Sequence, residues 1–193
     1  LVLGGGIAGM SAALAIADHG FEVSLVEQAA ELGGNVRSLH RTIEGNSPQE
    51  LLEDTISSVE KHPHIQVHTK AKVIHSHGAV GRFSTTIEKE DGVGETLEHG
   101  VTVLATGGRE ARTESYAYGE TEAIMTQHEL ELKLAEGTVD PAGLKVVAMI
   151  QCVDSREEPR NYCSRICCAS ALKNALHLKE QNPEIDIYIF YRD

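Results

Sequence analysis

The chain is poor in positive charge: across 193 residues, 17 Lys and Arg stand against 29 Asp and Glu, for a net charge of −12. That balance opposes the phosphate neutralisation on which nucleic-acid binding rests, so neither DNA nor RNA is an expected partner. Long hydrophobic runs are missing too. No stretch reaches the roughly 18 to 20 apolar residues of a membrane span, and no charged-then-apolar leader opens the chain. A soluble, cytoplasmic protein with no direct membrane span is expected. Cysteine is scarce, with four residues in all, none before position 152 and no pair spaced C-x-x-C. What is present suffices for an ordinary packed core: 41 % of residues are hydrophobic and 24 % charged. The apolar run that opens on Leu1 leads straight into a glycine turn, and Asp193 closes a strand-like run, so the sequence reads as a segment of a longer chain.

Periodicity organises the chain into two similar halves of unequal size. From Leu1 a short strand meets Gly4-Gly5-Gly6, an Ala-rich helix runs from Ala8 to about Ala17, and Phe21 to Glu27 alternates as a second strand. Gly20 suits the cap after the helix. Parallel strands need such a crossover, so this is a βαβ unit. Ser47-Pro48-Gln49-Glu50 has the form of a capping box with proline at the first helical position, opening a helix to about Lys61. Ile65–Thr69, Ala71–His77, Phe83–Glu88 and Glu95–Ala105 are β-rich and divided by glycines, which predicts a small antiparallel meander. A helix follows from about Thr126 to Ala135, then a turn at Asp140-Pro141-Ala142-Gly143. Leu144–Ile150 (strand), Ser164 to about Gln181 (helix) and Ile185–Tyr191 (strand) repeat the opening pattern. The expected fold class is α/β. A Rossmann-like βαβ domain with a meander fills 1–140, and a second nucleotide-binding-like βαβ domain begins at 141–193.

Gly4-x-Gly6-x-x-Gly9 lies between a strand and a helix. In that position the first glycine makes the turn, the second lets backbone approach a pyrophosphate and the third permits close helix packing. The helix start, with Ile7 and Ala8, then faces the phosphates. Glu27 ends the second strand, where a carboxylate accepts hydrogen bonds from ribose hydroxyls, with Gln28 beside it. FAD and NAD share this fingerprint. Two further segments, Glu31-Leu32-Gly33-Gly34 and Thr102-Val103-Leu104-Ala105-Thr106-Gly107-Gly108, resemble the two-dinucleotide-domain flavoprotein disulfide reductase superfamily. The resemblance implies FAD, with Gly33 and Gly34 near the pyrophosphate or flavin and Ala105, Thr106 and Gly107 passing close to the cofactor.

All four cysteines fall in one stretch: Cys152 after a strand, and Cys163, Cys167 and Cys168 at the start of the next helix. In a chain of cytoplasmic type, disulfides are disfavoured, and metal or redox work is the better reading. The spacing C-x10-C-x3-C-C matches no common zinc knuckle, and its adjacent pair fits poorly on one tetrahedral ion. A cubane iron–sulfur cluster is less restrictive, because each thiolate takes a different iron. Zinc, a redox dithiol and plain core packing stay open as alternatives. The turn after this second strand lacks phosphate-binding glycines, so direct NAD(P)H binding there is disfavoured.

Several segments resemble the flavin- and iron–sulfur-bearing subunit of the heterodisulfide reductase family. They are Gly-Gly-Gly-Ile-Ala-Gly-Met at 4–10, Ala-Thr-Gly-Gly at 105–108, Gln-Cys-Val-Asp-Ser-Arg at 151–156, Tyr-Cys-Ser-Arg-Ile-Cys-Cys at 162–168 and Ala-Leu-Lys-Asn-Ala-Leu at 171–176. The resemblance implies FAD in a thioredoxin-reductase-like fold. It also implies one [4Fe–4S] cluster on Cys152, Cys163, Cys167 and Cys168. Electrons would pass to other subunits of such a complex from hydrogenase or dehydrogenase donors, in some members with flavin-based bifurcation. Asp154 stands where the family pattern has glycine. Two other functions compete: an NAD(P)H-dependent flavoprotein reductase of the glutamate-synthase small-subunit or thioredoxin-reductase type, and a zinc-stabilised binding module. No side chain is expected to act as a general acid or base. The histidines from His62 to His99 are read as surface residues, and Lys173, Lys179 and Glu180 as a solvated helix face.

Overall fold

The structure is a computed structural model that describes residues 1–192. It divides into two compact units, one formed by Leu1–Arg37 with Gln49–Gly108, the other by Ser38–Pro48 with the residues from Arg109 onward.

In the first unit β1 (Val2–Leu3) leads through the glycine turn into α1 (Ile7–Ala17) and then β2 (Val23–Val26). Helix α1 is apolar on nearly every side, and Gly9, Met10, Ala13 and Ala17 are its buried residues. Small alanines let the helix lie close on the sheet, where Met10 and Ala13 join Val2 and Leu25 in the core. Helix α2 (Gln49–Lys61) buries Leu52 and Val59, two turns apart on one face, and packs on α1. β3 (Ile65–His68) pairs in parallel with β2, with Val23 opposite Ile65 and Val26 opposite His68.

Next come β4 (Ala71–Ala79), β5 (Arg82–Lys89) and β6 (Gly94–His99), an antiparallel three-stranded sheet. Its buried residues Ala71, Ile87 and Leu97 form a second small core with Val26. β7 (Val103–Leu104) then returns to pair in parallel with β1. The meander is therefore smaller than the sequence pattern implied. Ile65–His68 and Val103–Leu104 belong to the parallel sheet, whose order is β3-β2-β1-β7. Without them that sheet would consist of two strands, too few to support the helices packed on it. The order reverses at β1, and such a reversal opens the crevice in which doubly wound folds bind ligands.

The second unit holds α3 (Gln127–Glu136), β8 (Val146–Ile150), α4 (Cys167–Gln181) and β9 (Asp186–Phe190). Strands β8 and β9 pair in parallel in register from Val146–Asp186 to Ile150–Phe190, so the second βαβ unit is present. Leu130, Met149, Ala171 and Leu178 make its core. Helix α4 starts later than Ser164. Arg165 sits at φ 59°, outside the helical region, and Ile166 is the N-cap, which leaves Cys163 in the preceding loop. Lys173 departs from the solvated face expected for it: it is 7 % exposed and paired with Glu131, itself 6 % exposed. Among the histidines, His68 is buried rather than on the surface.

Candidate functional site

The glycine turn is fitted to its neighbours at the scale of single atoms. A Cβ on Gly9 would lie 1.8 Å from the carbonyl oxygen of Gly4, and one on Gly4 (φ +109°) would lie 2.2 Å from that of Ala105. Both positions exclude any side chain. Gly6 forms an isolated bridge with Gly33, and the Gly33 N–H donates to the Gly5 carbonyl at 2.7 Å. A Cβ on Gly34 would come within 3.1 Å of the Gly6 Cα. The structure thus brings Gly4, Gly6, Gly9, Gly33, Gly34 and Ala105 together at the ends of β1 and β7. Thr106 and Gly107 follow on the same exit, and around Gly107 there is open space for a Cβ.

Ile7 and Ala8 are the first two residues of α1, whose N-cap, Gly6, supplies no side-chain hydrogen bond. The helix starts with no acidic residue in its first turn, so nothing in the sequence competes with an anion for the first amides. Glu27 is held firmly. Its Oε2 accepts from Gly5 N at 2.6 Å and its Oε1 from Ala29 N at 2.7 Å, which ties the carboxylate to the turn. Each oxygen keeps a second lone pair for a ribose hydroxyl. Gln28 is exposed beside it. Sequence reasoning missed Asn35, whose Nδ2 donates to the Gly108 carbonyl at 3.0 Å and links the Gly33–Gly34 segment to the β7 exit. No local signal distinguishes that asparagine from any other loop residue.

In the second unit the cysteines lie on the loop after β8 and at the start of α4, the same place in the βαβ pattern that the glycine turn and helix start take in the first. All four are free thiols: Cys152 is buried, Cys167 half-buried, Cys163 and Cys168 exposed. Cys167 and Cys168 are the first two residues of α4. Partial desolvation raises the Cys168 thiol above its ordinary 9.0, and Cys167, Cys152 and Cys163 push it the same way, so the other three sulfurs all lie within electrostatic reach of Cys168. Among the described residues, however, no three His, Cys, Asp or Glu side chains converge closely enough to hold a metal ion.

The connecting loop has an unusual backbone. Cys152, Asp154, Arg156 and Arg165 all have φ between 50° and 61°, a region that non-glycine residues enter at a cost. That explains the aspartate at 154. At φ 50° glycine is the unstrained choice, and aspartate is among the residues that tolerate the conformation best. Its carboxyl group accepts from the Thr113 hydroxyl and from Ser115 Oγ at 2.9 Å, and these bonds hold its pKa below the usual 3.8. Beside the loop, at the C-terminal ends of β8 and β9, lies a cavity of about 500 Å³ lined by Gln151, Cys152, Asp154, Tyr116 and Phe190 among others.

The family profile for the NAD(P)-binding Rossmann-like domain matches residues 2–66, from β1 into β3. With the strand order and the glycine cradle, that match gives residues 2–66 the Rossmann-like fold of NAD(P)-binding domains. Across its full length the chain is similar to iron–sulfur subunits of heterodisulfide reductases, which are oxidoreductases. It is 29 % identical to a CoB–CoM heterodisulfide reductase iron–sulfur subunit of Methanopyrus kandleri, covering 100 % of this chain and 43 % of the relative. It is 26 % identical to the corresponding subunit of the H2/formate:CoB–CoM heterodisulfide, ferredoxin reductase of Methanococcus maripaludis, with the same two coverages, 100 % and 43 %.

The chain therefore spans less than half the length of these relatives. The first alignment runs over 286 positions for 193 residues, so the relative also holds internal segments without a counterpart here. Solved structures with the same fold include L-proline dehydrogenase from P. horikoshii, at TM-score 0.58 and 17 % identity over 97 % of this chain and 34 % of that one. Bacillithiol disulfide reductase from Bacillus cereus gives TM-score 0.57 and 15 % identity over 98 % of this chain and 57 % of that one. Among the described residues no helix is long and apolar enough to cross a membrane.

Proposed function

We propose that this chain is the part of a heterodisulfide-reductase-like iron–sulfur subunit that holds FAD and one [4Fe–4S] cluster and passes electrons between them. One observation carries the reading: four free cysteines fall on the loop after β8 and on the first turn of α4, in a chain similar throughout to an iron–sulfur subunit. The cradle supports the flavin half. Gly4, Gly6, Gly9, Gly33 and Gly34 leave backbone bare where a pyrophosphate must approach, and the α1 N-terminus with Ile7 and Ala8 offers it amides. Glu27, with Gln28 beside it, receives the adenosine ribose, and Ala105, Thr106 and Gly107 lie along the path toward the flavin.

The donor set supports the cluster half. Cys152, Cys163, Cys167 and Cys168 are soft ligands of the type such clusters take, and α4 presents its N-terminus to their negative charge. When bound, FAD handles two-electron equivalents and the cluster single electrons. The protein's own residues supply binding, orientation and exclusion of water, and none acts as an acid or base. Its partners in this reading are other subunits of such a complex and a hydrogenase or dehydrogenase electron donor, in the cytoplasm.

The test is anaerobic purification of the full-length protein that contains this chain, with flavin release, iron and sulfide analysis and EPR, repeated with each cysteine changed to serine. Expected are FAD and a cluster signal that disappears in the four variants. An unchanged signal in all of them overturns the ligand assignment. Zinc without flavin would establish a binding module instead, and reduction of the flavin by NAD(P)H without a second protein would favour the pyridine-nucleotide reductase.

A further inference from the structure

The glycine cradle has two flanks, and each is tied separately to β1 and its turn. On one side the Gly33 N–H donates to the Gly5 carbonyl at 2.7 Å. On the other the Ala105 N–H donates to the Leu3 carbonyl at 2.8 Å, and the Ala105 carbonyl oxygen lies 2.2 Å from where a Gly4 Cβ would be. These bonds fix where each flank leaves the sheet, and neither of them joins one flank to the other.

Asn35 makes that connection. Its Nδ2 donates to the Gly108 carbonyl at 3.0 Å, a bond between residues 73 positions apart and within the first unit. Asn35 stands in the short 3₁₀ turn Gly34–Ser38, directly after Gly33 and Gly34, and Gly107, at φ +67°, bends the exit one residue before the accepting carbonyl. The bond therefore closes a circuit that runs from the glycine turn through Gly33–Asn35 to Gly108 and back along the β7 exit. Gly5 and Gly33 are buried, whereas Asn35 and Gly108 are both exposed, so the closing bond lies on the solvent side of the cradle.

We propose that the Asn35–Gly108 hydrogen bond is a strap across the cofactor's path, which opens each time FAD enters or leaves. The inference rests on the FAD reading given above, in which the cofactor runs from Glu27 past Gly6 and on along Ala105–Gly107, between the two flanks. A strap acts differently from a cofactor contact. It joins protein to protein, so opening it costs one net hydrogen bond whether or not FAD is bound, and its removal lowers the barrier to entry and to exit alike. Both rates then rise by the same factor while the affinity, which compares two states that have lost the same bond, stays where it was. A residue that touched the cofactor would instead weaken affinity, through faster release alone.

The test uses the full-length protein that contains this chain, kept anaerobic, as wild type and as Asn35→Ala, Asn35→Asp and Asn35→Gln. Release is timed as free-FAD fluorescence after dilution, and uptake as the quenching of that fluorescence when FAD is returned to the deflavinated protein. Asn35→Ala should speed both by the same factor, about two- to tenfold, the worth of one net hydrogen bond, and leave Kd within about twofold of the wild type. Asn35→Asp sets an acceptor against the Gly108 carbonyl and should be at least as fast. Asn35→Gln keeps the amide donor on a longer stem and should bring both rates back toward the wild type. Wild-type rates in Asn35→Ala and Asn35→Asp overturn the inference and leave the FAD reading standing. Faster release with weaker affinity also overturns it, by showing that Asn35 holds the cofactor or the local fold and not the path. If acid treatment of the wild-type protein releases no FAD, the FAD reading fails and the strap fails with it.

Discussion

Lys173 and Glu131 form an ion pair with side chains 9 % and 7 % exposed, and Glu131 Oε1 also accepts the His40 N–H at 2.9 Å. Removing one partner of such a pair leaves a buried charge without compensation, which costs about 3–5 kcal/mol. Lys173→Met should therefore lower the unfolding free energy of the chain by that order in urea titrations. Adding Glu131→Gln neutralises the stranded charge and keeps an oxygen for His40, so the double variant should be more stable than Lys173→Met alone. Additive losses would show that the pair is not coupled. A second residue-scale expectation concerns pH. Burial pulls the pKa of His68 below its ordinary 6.5, and although Glu95 acts against this, Lys89 adds to it; His99 and His177 are lowered by burial as well. With a folded pKa below the unfolded one, the unfolded chain binds protons first as pH falls. Stability should be full above about pH 6.5 and decline below it, before the carboxylates titrate. His68→Leu should reduce that decline in urea midpoints measured at pH 7.5 and 5.5. An equal slope in the variant would remove His68 as the cause.

Elements were legible where their signal is local. The glycine turn, α1 and the second βαβ repeat follow from spacing alone, and Glu27 could be placed because strand length fixes where β2 ends. Pairing partners are another matter. Val103–Leu104 is two residues long, and its membership of the parallel sheet depends on β1, a hundred residues away, so no window of sequence carries it. Helix α4 begins after Ser164 because Arg165 takes φ 59°, outside the helical region, and no local sequence signal marks that arginine for a positive φ. Lys173 was misread for a similar reason: its partner lies on α3, and periodicity within α4 does not reveal it. Helix α3 shows the reverse. Thr126 and Glu129 make a reciprocal capping box, with Thr126 Oγ1 accepting from Glu129 N at 3.2 Å and Glu129 Oε2 accepting from Thr126 N at 2.7 Å. The T-x-x-E pattern that encodes this box is as local as the glycine turn. Thr126→Ala should cost about 1 kcal/mol, and Thr126→Ser should restore most of it in the same titration; equal losses in both variants would mean the cap contributes nothing.

At the scale of the whole molecule the two candidate sites divide cleanly by unit. Every residue of the glycine cradle, from Gly4 to Gly107 and including Glu27, belongs to the first unit, and all four cysteines belong to the second. Each unit also has its own hydrophobic core, Val2, Met10 and Leu25 in one and Leu130, Met149 and Leu178 in the other. Damage to one site should then spare the other. Gly9→Ala places a Cβ 1.8 Å from the Gly4 carbonyl oxygen, an overlap relieved only by moving the turn itself. Overpacking of this kind costs about 1–3 kcal/mol and displaces the backbone that approaches the pyrophosphate. In the full-length protein that contains this chain, Gly9→Ala should lose flavin while keeping the cluster signal. Cys167→Ser should do the opposite, losing one cluster's iron while keeping flavin. The comparison needs flavin fluorescence after acid release, iron per protein and EPR on the same anaerobic preparations. Loss of both cofactors in both variants would refute the assignment of one cofactor to each unit.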